Sequence, residues 1–326
     1  MTTSRPSAMF PILIARSDDS APDDRRERSE GSVIDRQGKP IERPDLTPSL
    51  NALEGNPNLM FEHWDEFWRK VHGPRVVHRD TAEDSMIEGV SNYHQIHRLA
   101  GAPSSAFPPP YEPLVDSTGL LYPHVWDKVP PYVRPAYDGL VYWAAPTTEA
   151  LIPVGYSRQA VEKINHEGNL FNRGSAGSLS AEYVIVPTEE AALPPVCTVK
   201  IHHRRAGEQH ELQERLLRWH SDVIKDGELA RRLVRRFAYI FTINKSADEP
   251  FYSERGVEVD AISVTYFRNM GDCETYYGSD EYRAVAQQEA EFLDTERSEW
   301  WTGIVYPLID VVSEAATDRD SRVPRS

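Results

Sequence analysis

The spacing of large apolar side chains near residue 60 predicts the first helix of the chain. Trp64, Phe67 and Val71 recur at the 3.6-residue period of an α-helix, and charged residues occupy most of the positions between them. A Gly-Pro pair at 73–74 follows, and these two residue types commonly end helices. The pattern therefore predicts an amphipathic helix that ends at His72, with this imidazole on its last turn.

Alternation over residues 91–99 predicts a strand. Successive strand side chains point to opposite faces, so Tyr93, Gln95 and His97 share one face. The other face carries the residues that alternate with them, His94, Ile96 and Arg98. Three side chains that can form hydrogen bonds, those of Tyr93, Gln95 and His97, therefore lie side by side as a polar row on one face of the predicted strand.

The elements follow the order strand, helix, strand, strand, helix, strand, and this order occurs twice. The first set is predicted at 10–15, 59–71, 91–99, 137–145, 157–171 and 182–187. The second set begins with a strand at 196–202, continues with strands at 236–243 and 260–267, and ends with a strand at 304–309. This is the order of a ferredoxin-like unit. The sequence therefore predicts an α+β fold of two tandem ferredoxin-like units, residues 1–190 and 191–326, that form a barrel within the chain.

Charge and cysteine content narrow the classes of function. The formal net charge is −15, and an acidic chain lacks the basic surface that nucleic acid or an anionic membrane requires. The longest early apolar run, 10–15, is too short for a signal sequence or a membrane span. Two isolated cysteines indicate free thiols rather than a disulfide framework. We expect a cytoplasmic protein without a nucleic-acid or membrane partner.

Two long polar or proline-rich segments interrupt the predicted elements. The segment 18–49 is dense in charged residues and proline, and it is either a solvated insertion or an arm that clasps a second subunit. We expect a homodimer, with a monomer as the alternative. The segment 101–135 combines proline with aromatic residues, and it either covers a cavity as a lid or packs on the outside of the domain.

Three short motifs resemble those of a known family. They are W-x-x-x-H-x-P at 68–74, Y-x-Q-x-H at 93–97 and Y-D-G at 137–139. In this order they resemble the EthD-type branch of the dimeric α+β barrel superfamily. The resemblance implies that two sheets face each other and close a barrel, and that Tyr93, Gln95 and His97 point into a cavity between them. It also implies that a non-catalytic accessory role exists in the family, and that other branches hold haem with one histidine.

The polar row and its neighbours supply the candidate chemistry. His97 is either the general acid or base, suited by an imidazole pKa near 6.5, or a satisfied core histidine. Tyr93 would donate a hydrogen bond to a phenolate or enolate oxygen, or else to a backbone carbonyl. His72 either assists the reaction or only caps its helix, and Asp138 either orients a histidine or is a solvated strand end. The predicted substrate-binding residues are Gln95, Trp143, Tyr137, Asp138 and His220.

The expected function is a cofactor-independent lyase that abstracts a proton from, decarboxylates or dehydrates a hydrophobic aromatic or polyketide-like molecule. No dinucleotide, P-loop, serine-hydrolase or zincin motif occurs. No metal is expected, because His94 and His97 lie on opposite faces of one strand. The alternatives are a cofactor-free oxygenase, a haem enzyme, and an accessory protein that binds such a compound or a partner enzyme. The haem ligand would be one of four histidines, His72, His97, His166 or His220.

Overall fold

The structure is a computed structural model that describes residues 6–15, 33–34, 40–41, 61–78, 85–99, 102–105, 108–109, 135–164, 176–190, 192–205, 212–244 and 246–310. Most of the predicted arm at 18–49, most of the proline-rich segment at 101–135, and His166 lie outside these residues. Among the described residues, no helix is long and apolar enough to cross a membrane.

The first half of the chain contributes these elements: β1 (Ser7–Ile14), β2 (Val33–Ile34), β3 (Pro40–Ile41), α1 (Phe61–Phe67), a π-helical turn (Trp68–His72), α2 (Gly73–Val77), β4 (Asn92–Arg98), β5 (Gly139–Ala145), α3 (Thr148–Tyr156), a second π-helical turn (Ala160–Ile164), β6 (Ala176–Gly177) and β7 (Ser180–Val186). Of the helix predicted at 157–171, the structure has a π-helical turn at Ala160–Ile164, and 165–171 lie outside the described residues. Thr147 caps α3 by accepting a hydrogen bond from the Ala150 amide, as Thr, Ser, Asp and Asn commonly do at this position.

The second half contributes these elements: β8 (Val196–His202), α4 (Leu212–Asp226), α5 (Glu228–Leu233), β9 (Val234–Thr242), α6 (Glu254–Val257), β10 (Ala261–Phe267), α7 (Met270–Tyr277), α8 (Asp280–Glu289) and β11 (Glu299–Asp310). Ser279 caps α8 by accepting a hydrogen bond from the Tyr282 amide. The strand β11 begins earlier than its predicted start at 304.

Eight strands form one closed antiparallel barrel. Their order around the barrel is β1-β5-β4-β11-β8-β10-β9-β7, and β7 pairs again with β1. Within the first half the neighbours run β7-β1-β5-β4, and within the second half β11-β8-β10-β9. The two sets join where β4 pairs with β11 and where β7 pairs with β9. Closure gives each of the eight strands a partner on both sides, and no backbone edge of the barrel is left open.

Each barrel strand has one face toward the interior and one toward a helix. The interior cluster joins apolar residues from strands of both halves, including Leu13, Ile96, Val199 and Val264. Two further clusters lie outside the barrel. One packs α1 and α3 against the first-half strands, and the other packs α4, α5, α7 and α8 against the second-half strands. The core therefore consists of one cluster inside the barrel and two clusters between the barrel and the helices.

The Gly-Pro pair at 73–74 does not end the first helix, which corrects the sequence prediction. The chain continues through a π-helical turn into α2, and Gly73 has helical dihedrals of φ −56° and ψ −54°. Pro74 lies at the start of α2, where its missing N–H costs little. A Cβ on Gly73 would lie 2.8 Å from Gln95 Nε2, so glycine is needed here for close approach of helix and strand. His72 is therefore in mid-helix and buried, not on a last turn.

A buried ionic cluster inside the barrel links the two halves. Arg236 on β9 donates to Glu182 on β7 at 2.8 Å and to the Tyr142 hydroxyl at 3.0 Å, while Tyr142 donates to Glu182. The side chains of Arg236 and Glu182 are only 1% and 4% exposed. The guanidinium also lies 5.1 Å from the ring centroid of Tyr266. These partners satisfy charges that would otherwise be expensive to bury.

The cluster predicts a strongly non-additive effect on stability. We expect Arg236→Met alone to lower the free energy of unfolding by about 3–5 kcal/mol, because it leaves the Glu182 carboxylate buried without its counter-ion. The double variant Arg236→Met/Glu182→Leu should recover a large part of that loss. Urea unfolding of wild type, both single variants and the double variant measures the coupling. Additive losses would contradict this account of the cluster.

Candidate functional site

The predicted polar row faces the helix layer and not the barrel interior. Gln95 Nε2 donates to the Trp68 carbonyl at 3.0 Å, and His97 Nδ1 lies 2.5 Å from Asp65 Oδ1. Tyr93 belongs to the cluster that packs α1 on the sheet. The expectation that Tyr93, Gln95 and His97 line an inward cavity is therefore wrong. Alternation separates two rows of a strand, but it does not say which row is on the concave side of a closed sheet.

The opposite row of β4 faces the interior. Ile96 belongs to the interior cluster, and the His94 ring stacks on Tyr142 at a centroid distance of 5.0 Å. Arg98 and Asp138 form a buried pair with 2.5 Å between Nη2 and Oδ1. Two of the three interior positions of this row are thus polar.

The π-helical turn places the Trp68 indole flat against His97. The two rings stack with a centroid distance of 3.9 Å and an interplanar angle of 18°. Gly139 pairs with His97 across the sheet, and a Cβ there would lie 2.4 Å from Trp68 Cζ3. Glycine at this strand position therefore makes room for the indole. A π-helical turn widens a helix locally, and such turns are frequent at functional sites.

Asp65 and His97 form a buried carboxylate–imidazole dyad. The His97 side chain is 2% exposed and that of Asp65 is 25% exposed. Burial lowers the pKa of His97 from its usual 6.5, the hydrogen bond to Asp65 opposes this shift, and the nearby Arg69 charge adds to it. A neutral imidazole whose Nδ1–H donates to Asp65 has its unprotonated nitrogen at Nε2. The dyad can therefore accept a proton at Nε2.

Gln95 connects the dyad to Tyr93. Its Nε2 donates to the Tyr93 hydroxyl at 2.9 Å as well as to the Trp68 carbonyl. With both amide hydrogens used, its Oε1 lies toward His97 Nε2 at 3.3 Å. This oxygen can accept a hydrogen bond only after Nε2 has gained a proton. The amide is thus placed to stabilise the protonated imidazole.

Aromatic side chains enclose the dyad. Trp64 lies 6.0 Å from His97 between ring centroids, and Tyr306 meets the imidazole edge-on at 4.8 Å. Tyr93 stacks on Trp143 at 3.9 Å and 6°. Trp143, a predicted substrate-binding residue, is therefore adjacent to the row. This shell shields the imidazole from water.

The other predicted residues occupy several places in the structure. Asp138 pairs with Arg98, and it is fully buried rather than solvated. Tyr137 lies beside Glu299, and burial followed by the Glu299 charge raises the pKa of the Tyr137 hydroxyl. His220 belongs to α4, but its side chain lies outside the described part of the structure. His72 is on the π-helical turn, four residues beyond Trp68.

Asp65 is the residue that sequence reasoning missed. Its place in the helical pattern assigned it to the solvent-facing side, next to Trp64. Asp65 is beside Trp64 and three residues before Trp68, both buried, so it lies at the border of the helix face that packs on the sheet and reaches His97 from there. The sequence contained one indication of this contact. Asp65 is an acidic residue on the predicted helix, and His97 is on the strand predicted after that helix.

The helix layer of the second half has a different polar group, the Lys200–Glu289 ion pair, with 2.8 Å between Nζ and Oε2. The helix-facing row of β9 contains Phe237, Tyr239 and Phe241, all within the second outer cluster. Among the described residues, no group of three His, Cys, Asp or Glu side chains could hold a metal ion. The carboxylate–imidazole arrangement is therefore a property of the first half in the described part of the chain.

Comparisons with known proteins give only distant similarity. No family model matches the sequence, and no curated protein matches it significantly. A proposed monooxygenase from Lactobacillus acidophilus NCFM aligns over 97% of this chain and 100% of its own, with 8% identity and a TM-score of 0.44. A proposed monooxygenase from Fusobacterium nucleatum aligns over 94% of both chains, with 5% identity and a TM-score of 0.41.

A proposed chlorite dismutase aligns over 93% of this chain and 96% of its own, with 7% identity and a TM-score of 0.41. Similarity at these TM-scores carries no argument about family or chemistry. The site has to be judged from its own geometry.

The lowered pKa of His97 predicts a pH-dependent stability. Unfolded His97 takes up a proton near pH 6.5, whereas the folded protein resists protonation until a lower pH. His97 therefore makes its full contribution to the free energy of unfolding above pH 6.5. This contribution is lost as the pH falls from 6.5 toward the lower pKa of the folded protein. We expect wild type to lose more stability than His97→Gln between about pH 7.5 and 5.5, by urea unfolding. Burial also lowers the pKa of His203, but both proteins share this residue. Equal losses in the two proteins would contradict the prediction.

The contact between Gly139 and Trp68 predicts a steric effect. Gly139→Ala should displace the indole from His97 and destabilise the fold by about 1–3 kcal/mol, as overpacking does. Gly271→Ala is the matched control, because its Cβ would meet only Asn269 Oδ1 at 3.2 Å. Thermal unfolding and tryptophan fluorescence measure both effects. A stability of Gly139→Ala equal to that of the control would show that the strand does not need glycine there.

Proposed function

We propose that this protein is a cofactor-independent enzyme in which His97 removes a proton from an aromatic or polyketide-like substrate. The observation that supports this is the Asp65–His97 dyad, with 2.5 Å between Oδ1 and Nδ1. The carboxylate fixes the tautomer that leaves Nε2 basic, and it stabilises the imidazolium that proton transfer creates. A buried histidine with a lowered pKa is neutral, and hence competent as a base, at neutral pH.

In the proposed reaction the proton moves from the substrate to His97 Nε2. Gln95 Oε1 stands 3.3 Å from Nε2, so it must move aside for the substrate to reach this nitrogen, and it can accept from the new Nε2–H once the substrate has left. Tyr93, whose hydroxyl is oriented by Gln95, would donate to the substrate oxygen that gains negative charge. His72 would assist from the π-helical turn, as the sequence predicted. The resulting enolate then loses a leaving group, which is a lyase-type reaction.

The substrate has to enter from the side of Asp65, because His97 and Tyr93 are only 2% and 1% exposed. Asp65 and Tyr306 are partly exposed, and they connect the buried imidazole to the surface. We propose that the π-helical turn moves when the substrate binds, since its wide geometry is less regular than the α-helix on either side. Flat aromatic walls around His97 favour a planar, hydrophobic ligand.

A cofactor-free oxygenase shares the first step of this mechanism. The aromatic shell around His97 favours it as the second candidate, because a carbanion shielded from water can persist until it reacts with oxygen. A haem enzyme that uses His97 fits the site poorly. Its Nδ1 is engaged by Asp65, its Nε2 faces Gln95, and Trp68 covers one face of the ring.

A non-catalytic accessory protein is the candidate from a different class. The near-complete burial of His97 and Tyr93 supports it, because a row that stays closed would only stabilise the fold.

We propose further that the barrel consists of two tandem ferredoxin-like units of the EthD type, residues 1–190 and 191–326. The equivalent strand orders β7-β1-β5-β4 and β11-β8-β10-β9 support this division. A single chain then closes the barrel, and the homodimer that the sequence predicted would use other surfaces. Light scattering on the full chain and on a deletion of 18–49 tests that assembly.

Proton exchange tests the catalytic proposal without knowledge of the natural substrate. Benzoylacetone, an aryl 1,3-diketone, should exchange its acidic hydrogens faster in D₂O with wild type than without protein. We expect His97→Gln to lower this catalysed rate by about 10²–10⁴, and Asp65→Asn to lower it as well, because the tautomer is no longer fixed. The measurement is proton NMR, with Lys70→Gln as the control, since Lys70 pairs with Glu66 on the surface.

Melting temperatures must accompany these rates, because an unfolded variant also loses activity. Exchange that persists at the wild-type rate in folded His97→Gln would move the base elsewhere. Product formation that stops without oxygen, while exchange continues, would favour the oxygenase over the lyase.

A further inference from the structure

Arg69 carries a buried nitrogen that lacks a hydrogen-bond partner among the described residues. Its Nε is the atom concerned, and the residue lies on the π-helical turn directly after Trp68. The guanidinium carbon is 5.1 Å from the ring centroid of Tyr306. Arginine on an aromatic ring contributes its charge to the contact while it can still donate hydrogen bonds from its planar guanidinium group. A ligand could therefore be bound by this group.

Arg69 and the dyad share one aromatic neighbour. Tyr306 lies under the Arg69 guanidinium, and its ring also meets His97 edge-on at 4.8 Å. In the sheet Tyr306 is the partner of Gln95. The positive charge of Arg69 also acts on His97, whose pKa it helps to lower. The guanidinium and the imidazole thus contact the same aromatic ring.

Among the described residues around this point, Arg69 is a cation that forms no ion pair. Asp65 from α1 is engaged with His97, and Tyr306 from β11 contributes its ring. Lys70, the next residue on the turn, pairs with Glu66 at 2.5 Å on the surface. Arg69 is itself partly exposed, on the same side as Asp65 and Tyr306. This is the side from which the substrate would reach His97.

We propose that Arg69 binds a carboxylate group of the substrate, so that the substrate is an aromatic or conjugated carboxylic acid. This inference rests on the proposed function, because it places the acid beside the base His97. A carboxylate matches the planar donor geometry of a guanidinium and can form two parallel hydrogen bonds with it. Bound there, the carboxylate offsets the charge of Arg69, while the flat apolar part of the substrate lies against the aromatic side chains around His97.

Two matched probes test the proposal: 2-hydroxybenzoate, which is anionic at neutral pH, and 2-hydroxybenzamide, which is neutral and of similar shape. Titration calorimetry on the full chain should give tighter binding of the anion to wild type. Arg69→Gln should weaken binding of 2-hydroxybenzoate roughly 10- to 100-fold, the usual effect of losing a charge-assisted hydrogen bond, with much less effect on the amide. Arg69→Lys keeps the charge without the planar group and should give an intermediate affinity. Lys70→Gln is the control and should bind as wild type does.

An NMR titration of His97 adds a readout that a merely structural role of Arg69 would not give. Saturating 2-hydroxybenzoate should raise the pKa of His97 in wild type, because a carboxylate now stands near the imidazole, and should not raise it in Arg69→Gln. Asp65, Tyr306, Gln95 and Tyr93 face the imidazole in both proteins, so the difference isolates Arg69.

Two results would overturn the proposal: no preference of wild type for the anion, or an equal preference in folded Arg69→Gln and wild type. Failure of the proposed function looks different. In that case His97→Gln leaves proton exchange on benzoylacetone unchanged. Wild type still binds 2-hydroxybenzoate more tightly than 2-hydroxybenzamide, and Arg69→Gln still removes this preference. The protein would then be a binding protein for aromatic acids.

Discussion

Closure of the sheet is the constraint on which the rest of the structure depends. Because β1 pairs with both β5 and β7, each of the eight barrel strands is hydrogen-bonded on both sides. A strand in such a barrel has one row of side chains for the narrow interior and one for the helices outside. Because of that division, Ile96 lies in the interior and His97 lies in the helix layer, in contact with Asp65 and Trp68.

The buried polar groups of the two layers differ in kind. Inside the barrel, Arg236 is surrounded by Glu182 and Tyr142, and Arg98 by Asp138, so each charge has a counter-charge or a hydrogen-bond partner. In the helix layer, Asp65 is hydrogen-bonded to His97, whose pKa is lowered by burial, and Arg69 lies against the Tyr306 ring. The first arrangement ties strands of the barrel together, whereas the second ties α1 and the π-helical turn to the sheet.

The sequence predicted the strands well because alternation and turn residues are local signals. It also separated the row of Tyr93, Gln95 and His97 from the row of His94, Ile96 and Arg98. It could not say which row is on the concave side, since closure depends on pairings between residues as distant as Ile96 and Val305. The predicted helix end at Gly73 was wrong for a related reason. Glycine at this position lets the helix approach Gln95, and a glycine required by such a contact cannot be told from a helix-ending glycine in the sequence.

The contrast between β4 and β9 has a consequence for evolution within one chain. When two identical subunits build a barrel, a substitution in one strand is forced on its symmetry mate, so a polar row cannot be kept on one side alone. A barrel closed by a single chain is free of that coupling. The aromatic row of Phe237, Tyr239 and Phe241 makes one side a hydrophobic support, while the row containing His97 keeps its polar groups on the other. Substitutions in one half can then accumulate without being repeated in the other half of the same molecule.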